Sequence, residues 1–261
     1  MPTRTSKKSL HASELQNKPQ KNCKTYFNFK INNYHKAAYH KITGKREKKM
    51  FTSYGYSTMI KVLLLCMGLS AAAMIFPFEA EIALFFMAAA LFLFTLYFFR
   101  DPKRMAPDEK RIILAPADGK ILLVEKQAEN GSTKALTLVS IFMSPFNVHV
   151  NRVPLSGKVT HLHYRPGQFL MAFDPKSMES NERMEIAINN TEIEVRFSQV
   201  SGFLARRIVC QLRKGENVTI GKRFGMIKFG SRVDLVLPAS ATVLVEPGQK
   251  TRAGETILAR Y

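Results

Sequence analysis

The sequence predicts a mainly β fold of the α+β class, in which a β-rich domain follows a two-helix hairpin. From about residue 112 onward, short apolar segments alternate with turn signals, a pattern typical of strands. Two long apolar stretches precede them, and the first part of the chain is polar, basic and aperiodic. We therefore divide the 261 residues into a disordered basic arm at 1–57, a helical hairpin at 58–99 and a β-rich domain at 100–261.

The apolar stretches are long enough to cross a membrane. Met59–Phe78 contains a single charge, Lys61, near its start, and Ile82–Phe99 contains none. Eighteen helical residues span about 27 Å, close to the ~30 Å of a bilayer core. A pair of buried helices in a soluble domain is the alternative. Both stretches are apolar on every side, which favours the membrane, and the break at 77–81 makes them a hairpin.

The charges around the hairpin predict its orientation. Lysine is frequent before it, and Arg100, Lys103 and Arg104 follow it, whereas the connecting turn holds only Glu79 and Glu81. The positive-inside rule places both ends of such a hairpin in the cytoplasm. We therefore expect the β-rich domain on the cytoplasmic side.

The net charge of +19 is concentrated in the arm, where residues 1–49 carry 13 Lys/Arg and 2 acidic residues. Basic proteins often bind nucleic acid, but no nucleic-acid motif accompanies the charge here. The three cysteines, Cys23, Cys66 and Cys210, are scattered and show no paired spacing. This argues against a disulfide framework and against a metal site.

Short, evenly spaced strands predict a sandwich or barrel. The candidate strands are Ile121–Val124, Ala135–Phe142, Val148–Val153, Met184–Ile188, Glu192–Phe197, Ile208–Leu212, Val218–Ile220 and Ala241–Val245, with two more flanking Gly230-Ser231. The stretch 166–183 is long and irregular, and loops of this kind are often functional.

The Gly230-Ser231 pair, between two apolar runs, permits an unusual reaction. Gly230 tolerates backbone angles that other residues resist, so the Ser231 hydroxyl can reach the preceding carbonyl. That geometry suits an N→O acyl shift, which turns the peptide bond into an ester. Elimination and loss of ammonia would then leave a pyruvoyl group at residue 231. Taken alone, Gly-Ser before a strand is usually only a turn.

Three further motifs contain residues able to do chemistry. Ala-Pro-Ala-Asp-Gly-Lys at 115–120 contains Asp118, which by default only caps a turn. The run FMSPFNVHVNRVP at 142–154 contains His149. The run SGFLARR at 201–207 ends in the basic pair Arg206 and Arg207. Each motif alone is commonly structural.

Together these motifs resemble the phosphatidylserine decarboxylases, and more narrowly their short, membrane-anchored bacterial form. The resemblance covers about residues 51–261 and rests on five segments in order: PADGKI, FMSPFNVHVNRVP, Asn181-Glu182-Arg183, the 201–207 run and RFGMIKFGSRVDLVLP. It implies a proenzyme that cleaves itself between Gly230 and Ser231, and a pyruvoyl cofactor formed from Ser231. It also implies a β domain akin to the barrel-sandwich hybrids that carry biotin and lipoate.

The resemblance further implies decarboxylation of phosphatidylserine to phosphatidylethanolamine, with the pyruvoyl group as electron sink. The partners would be phosphatidylserine and membrane lipid, and the two cleavage products would stay associated. Neither a metal nor nucleic acid is expected, and a homo-oligomer is left open. The expected location is the bacterial inner membrane, with the catalytic domain on its cytoplasmic side.

The resemblance assigns catalytic roles to Ser231, His149 and Asp118. Longer relatives have a second histidine at the position of Arg152, so their self-cleavage triad does not transfer whole. Arginine stays protonated and cannot act as a base. We therefore hypothesise that His149 serves both steps and that Asp118 accepts its N–H and orients the ring.

The remaining basic and imidazole side chains receive lesser roles. Arg152, Arg206 and Arg207 are candidates for binding the anionic substrate. His161 and His163 are expected to share one strand face with Val159, which favours packing over catalysis.

Two alternatives come from other functional classes. A biotinyl-like or lipoyl-like carrier or adaptor needs a lysine at a hairpin tip, commonly between two methionines, and Lys228 in Met-Ile-Lys-Phe does not match. A membrane-tethered nucleic-acid binder would have to use the basic arm, which has few interleaved aromatic residues.

Overall fold

The computed structural model describes residues 50–128, 135–171, 177–203, 207–228 and 230–261. They belong to one compact unit, Lys49–Tyr261. Most of the predicted arm, 1–49, and the candidate residue Arg206 lie outside the described residues, as does Phe229 beside the proposed cleavage point.

The two predicted apolar helices are present. Helix α1 spans Tyr56–Ala73 and α2 spans Phe78–Phe98. By length and composition both could cross a membrane, and most of their surface is not covered by the rest of the chain. The turn lies at 74–77, slightly earlier than predicted, because Pro77 precedes the first turn of α2 rather than breaking a helix. Glu79 and Glu81 then lie in that first turn, where the helix dipole favours acidic side chains.

The end of the predicted arm is ordered. Phe51 forms an antiparallel bridge with Arg100, and the Thr52 N–H donates to the Phe99 carbonyl at 2.9 Å. Residues 50–57 therefore belong with the hairpin, because the chain entering α1 pairs with the chain leaving α2.

The rest of the described chain is mainly β, which confirms the predicted fold class. The strands are β1 Ile112–Leu114, β2 Gly119–Ala128, β3 Ala135–Met143, β4 Val150–Arg152, β5 Gly157–Arg165, β6 Arg183–Asn189, β7 Glu194–Val200, β8 Arg207–Cys210, β9 Asn217–Val218, β10 Arg223–Lys228, β11 Ser231–Pro238, β12 Thr242–Val243, β13 Lys250–Thr251 and β14 Ile257–Arg260. A short helix, α3, spans Ser177–Ser180.

The strands form one large curled sheet and two small sheets. The large sheet has the order β13-β2-β3-β11-β7-β6-β5-β9, and the small ones are β1-β14-β12 and β4-β10-β8. Strand β11 pairs antiparallel with both β3 and β7. Its alternate residues Val233, Leu235 and Leu237 are fully buried in the main core.

A second apolar cluster joins the hairpin to the β domain. Met59 of α1, Phe98 and Phe99 at the end of α2, and Met226 of β10 pack together and are buried. The hairpin is therefore fixed to the strand that leads into Gly230-Ser231.

The predicted packing of the two histidines on β5 is wrong. The register of β5 against β6 shifts between Val159 and His161, which marks a bulge. A bulge resets the alternation of side chains, so Val159 is buried while His161 and His163 are exposed.

Candidate active site

The strand register brings the two main candidate segments to one end of the fold. Ser231 pairs with Met143, and Met226 pairs with Val150. His149 lies in the chain between Met143 and Val150. One end of this chain pairs with Ser231 and the other end pairs with Met226. The connection carrying the histidine therefore lies against the turn that carries the Gly-Ser bond.

Gly230 adopts a backbone conformation that glycine favours, and Ser231 after it is buried. Gly230 has φ of +56°, in the left-handed region that glycine occupies at little cost. Ser231 begins β11 and is fully buried. Its Oγ donates to the sulfur of Met143 at 3.3 Å, a weak acceptor that holds the hydroxyl loosely.

Sequence reasoning missed a buried polar pair beside this serine. Asn151 Nδ2 lies 3.8 Å from the same Met143 sulfur, and Gln199 Nε2 donates to Asn151 Oδ1 at 2.8 Å. Both amides are fully buried. The sequence signal for Asn151 was its place in the FMSPFNVHVNRVP run, two residues after His149. Gln199 on the distant β7 had no such signal.

His149 is fully buried, and its contacts define its tautomer. Its Nδ1 lies 3.0 Å from the Asn147 carbonyl oxygen. A carbonyl can only accept, so Nδ1 carries the proton and Nε2 carries the lone pair. Nε2 is buried without a hydrogen-bond partner among the described residues. His149 is therefore oriented as a base with its lone pair available.

The end of the hairpin covers His149. The Phe98 ring lies over the imidazole with centroids 4.2 Å apart and planes tilted by 34°. The Phe146 carbonyl accepts from Arg100 Nη2 at 2.7 Å and from the Tyr97 hydroxyl at 3.1 Å. Burial lowers the pKa of His149 to about 4, and nearby Arg100 acts in the same direction. The imidazole is thus neutral at physiological pH, as a base must be.

This neutral imidazole predicts a loss of stability in acid. The unfolded chain binds a proton on histidine near pH 6.5, whereas the folded chain binds it only near pH 4. Between these values the unfolded state holds more protons, so stability should fall with falling pH, by up to about 3 kcal/mol at pH 4. Thermal melting of the Ser231→Ala chain in detergent from pH 7.5 to 4.5, with and without His149→Gln, measures it. Equal pH slopes in the two proteins would contradict the assignment.

The structure corrects the predicted partnership of Asp118 and His149. Asp118 Oδ1 accepts from the Ala253 N–H at 2.7 Å, and Oδ2 pairs with Arg104 at 2.7 Å. Burial raises the pKa of Asp118, against the lowering effects of those two contacts. The backbone carbonyl of Asn147, and not Asp118, orients the imidazole. Through Arg104, Asp118 instead connects the segment that follows the hairpin to the turn before β2.

Arg152 is committed to structural contacts rather than open to substrate. Its Nη1 donates to the Gly221 carbonyl at 2.9 Å, and its Nη2 donates to the Pro102 carbonyl at 3.1 Å. It also pairs with buried Asp101 at 3.5 Å, which in turn pairs with Arg223 at 2.6 Å. These contacts connect the segment after the hairpin to the β domain and occupy the Arg152 guanidinium group. The geometry of Arg152 therefore does not support the expected role in substrate binding.

Replacing Arg152 by alanine should destabilise the protein by about 2 kcal/mol or more, because the Gly221 and Pro102 carbonyl groups lose their charged donor, although Asp101 keeps Arg223 as a partner. Thermal melting measures this effect. Arg260→Ala is the matched control, since Arg260 pairs with Glu109 on the surface and exposed pairs contribute about 1 kcal/mol or less. A stable Arg152→Ala protein with weakened lipid binding would restore the substrate role.

Strand β11, which begins at Ser231, contains a buried ion pair. Asp234 accepts from Ser140 Oγ at 2.5 Å and pairs with Arg232 at 2.9 Å. Burial raises the pKa of Asp234, which the Arg232 charge and the Ser140 hydroxyl partly offset. These contacts join β11 to β3 by side chains as well as by the sheet ladder.

Known proteins match this chain over the segment that contains these residues. The family model described as phosphatidylserine decarboxylase matches residues 91–259. This chain belongs to the phosphatidylserine decarboxylase family. The family resemblance seen in the motifs is confirmed, and so is the prediction of an enzyme, a carboxy-lyase. Asp118, His149 and Ser231 all lie within the matched range, and the carrier alternative is not retained.

Close relatives in this decarboxylase family cover most of the chain. The phosphatidylserine decarboxylase proenzyme of Pelodictyon phaeoclathratiforme is 79% identical over 212 residues, which are 81% of this chain and 100% of the relative. The proenzyme of Chlorobium chlorochromatii is 59% identical over 212 residues, with the same two coverages. That of Prosthecochloris aestuarii is 56% identical over 211 residues, 81% of this chain and 97% of the relative.

Proposed function

We propose that this chain decarboxylates phosphatidylserine to phosphatidylethanolamine, using a pyruvoyl group that it forms by cleaving itself between Gly230 and Ser231. One observation carries the proposal. A buried serine follows a glycine in the left-handed region, and the strand register sets both against the connection that holds His149.

Cleavage would begin at the Ser231 hydroxyl. Its oxygen bonds to the Gly230 carbonyl carbon while the hydroxyl proton passes to His149 Nε2. The carbon–nitrogen bond then breaks, and Nε2 gives this proton to the leaving amine, so that an ester forms and the imidazole is neutral again. His149 then removes the proton from the Ser231 α-carbon, and the bond from Cβ to the ester oxygen breaks, leaving a carboxylate on Gly230. The dehydroalanine that remains takes a proton from His149 at Cβ and becomes an imine, and water then replaces the imine nitrogen, which leaves as ammonia. The neutral imidazole with its unpartnered Nε2 suits both proton transfers.

The surroundings of Ser231 fit the product group. A pyruvoyl group is no larger than the serine it replaces. The Met143 sulfur is a weak acceptor, so losing the hydrogen bond from the Ser231 hydroxyl costs little. Strand β11 lies between β3 and β7, so the small chain would remain held by both neighbours after cleavage. This supports the expectation that the two products stay associated.

In the decarboxylation step, the pyruvoyl carbonyl would supply the electron sink for the electrons released with carbon dioxide. His149 would return a proton to the α-carbon of the product. Phe98 would exclude water from the imidazole, because the phenyl ring lies directly over the imidazole ring.

Enzyme in mixed micelles should release carbon dioxide from phosphatidylserine. Hydroxylamine traps carbonyl groups and should therefore stop this release.

The hairpin would hold the enzyme at its lipid substrate. Helices α1 and α2 expose apolar side chains over most of their surface. Contact of so large an apolar surface with water is unfavourable. We take 58–99 as the anchor, with residues 50–57 packed at its base, and 100–261 as the catalytic domain, at the cytoplasmic face of the bacterial inner membrane.

Protease added outside spheroplasts should leave the catalytic domain intact, because the positive flanks keep both hairpin ends inside. Lysed spheroplasts are the control and should show digestion. Digestion of the domain from outside would reverse the proposed topology.

A further inference from the structure

Three cations meet where the hairpin joins the β domain, and no described carboxylate pairs with any of them. Lys228 ends β10 and lies directly opposite Arg207 of β8 in the antiparallel register. Lys61 on α1 and Arg207 both act electrostatically on Lys228. Like charges directly opposite on neighbouring strands are destabilising. Such a cluster is favourable when an anion lies between its members.

Lys228 is held in place rather than extended into water. It is only 7% exposed, its Nζ donates to Thr58 Oγ1 at 3.0 Å, and it lies 5.5 Å from the centre of the Phe99 ring. Burial, followed by the charges of Arg207 and Lys61, lowers the pKa of Lys228 to about 8. A buried ammonium with one neutral hydrogen-bond partner retains donor capacity for a ligand.

The position of the cluster indicates what the anion is. Thr58 and Lys61 lie in the first turns of α1, at the level where the proposed anchor enters the bilayer. Phospholipid phosphates occupy that level of a membrane. Lys228 is also three residues before Ser231, a stretch that spans at most about 10 Å.

We propose that Lys228 and Arg207, with Lys61 beside them, bind the anionic phosphodiester of a phospholipid headgroup. This inference rests on the proposed function, because it makes the cluster the headgroup subsite from which the serine amine reaches residue 231. The phosphate and the amine of that headgroup are separated only by a short carbon bridge, so one lipid can contact both places.

The test uses the full chain carrying Ser231→Ala, so that lipid binding is measured without cleavage or turnover. Native mass spectrometry counts the phosphatidylserine, phosphatidylglycerol or phosphatidylcholine retained from mixed micelles. Adding Lys228→Met should weaken retention of the two anionic lipids about tenfold or more, as expected for losing a charge-assisted hydrogen bond. Lys228→Arg should restore it. Lys222→Met is the matched control, because Lys222 is exposed and precedes the other end of β10.

The outcomes separate a lipid subsite from a structural lysine. If Lys228 were only structural, Lys228→Met would lower the melting temperature and leave lipid retention unchanged, which would overturn the proposal. Displacement of bound lipid by inorganic phosphate but not by phosphatidylglycerol would overturn the assignment to a lipid. Failure of the wild-type chain to cleave or to decarboxylate would refute the proposed function while leaving this binding comparison intact.

In the cleaved enzyme, Lys228→Met should raise the KM for phosphatidylserine about tenfold at an unchanged kcat, since uniform binding is lost. If the Lys228→Met chain fails to cleave, its lipid binding can still be measured in the retention assay. An unchanged KM in a fully cleaved variant would count against the subsite.

Discussion

Replacing Ser231 by alanine is expected to leave the protein as one uncleaved chain without decarboxylase activity. Alanine has no oxygen to attack the Gly230 carbonyl, and without cleavage no pyruvoyl group forms. The chain should still fold, because the Ser231 hydroxyl contributes only a weak contact to the Met143 sulfur. Gel electrophoresis and the release of carbon dioxide from phosphatidylserine measure the two losses.

Ser198→Ala is the control for the Ser231 experiment. Ser198 is half-buried on β7 and lies opposite Asp234 of β11, so its replacement removes a serine hydroxyl from the neighbouring strand without changing Gly230 or Ser231. This control should cleave and turn over like the wild type. Decarboxylation by the Ser231→Ala chain would show that the mechanism is wrong.

Replacing His149 by alanine should slow self-cleavage by about 10²–10⁴-fold, which is the usual contribution of a positioned general base. The reason is the unpartnered lone pair on Nε2 of a buried, neutral imidazole. Turnover of whatever fraction is cleaved should fall as well, because the same nitrogen would return the proton in decarboxylation. The cleaved fraction over time, beside turnover per cleaved chain, measures both.

Two further variants make the His149 result specific. His149→Gln keeps a donor for the Asn147 carbonyl and fills the space under Phe98, yet cannot act as a base, so it should behave like His149→Ala. His161→Ala removes an exposed imidazole and should change neither step. If His149→Ala cleaves at the normal rate and fails only in decarboxylation, the shared-base hypothesis is lost, and another group must act on Ser231.

The strands and the hairpin were predictable because local patterns determine them. Alternating apolar residues identified β11, and uncharged apolar runs identified both helices. The bulge after Val159 was not predictable, since nothing in the local alternation marks it. The exact turn at 74–77 was missed because Pro77 was taken to break a helix and in fact begins one.

The candidate site was only partly predictable for a similar reason. Ser231 and His149 lie in motifs whose order along the chain indicates the family. Strand pairing then brings these motifs close together in the fold. The partners of Asp118, namely Arg104 and Ala253, come from segments far apart in sequence, so its contacts depend on the completed fold. The like-charged pair of Lys228 and Arg207 likewise appears only once β10 and β8 are in register.

The intact mass of the purified wild-type protein tests the central claim most directly. Cleavage after Gly230 predicts chains of 230 and 31 residues in place of one chain of 261. The small chain should be lighter, by one ammonia, than the peptide that simple hydrolysis would leave with an N-terminal serine, and its mass should shift after treatment with borohydride. A single uncleaved chain in an active preparation, or a small chain with a free serine at its N-terminus, would contradict the account.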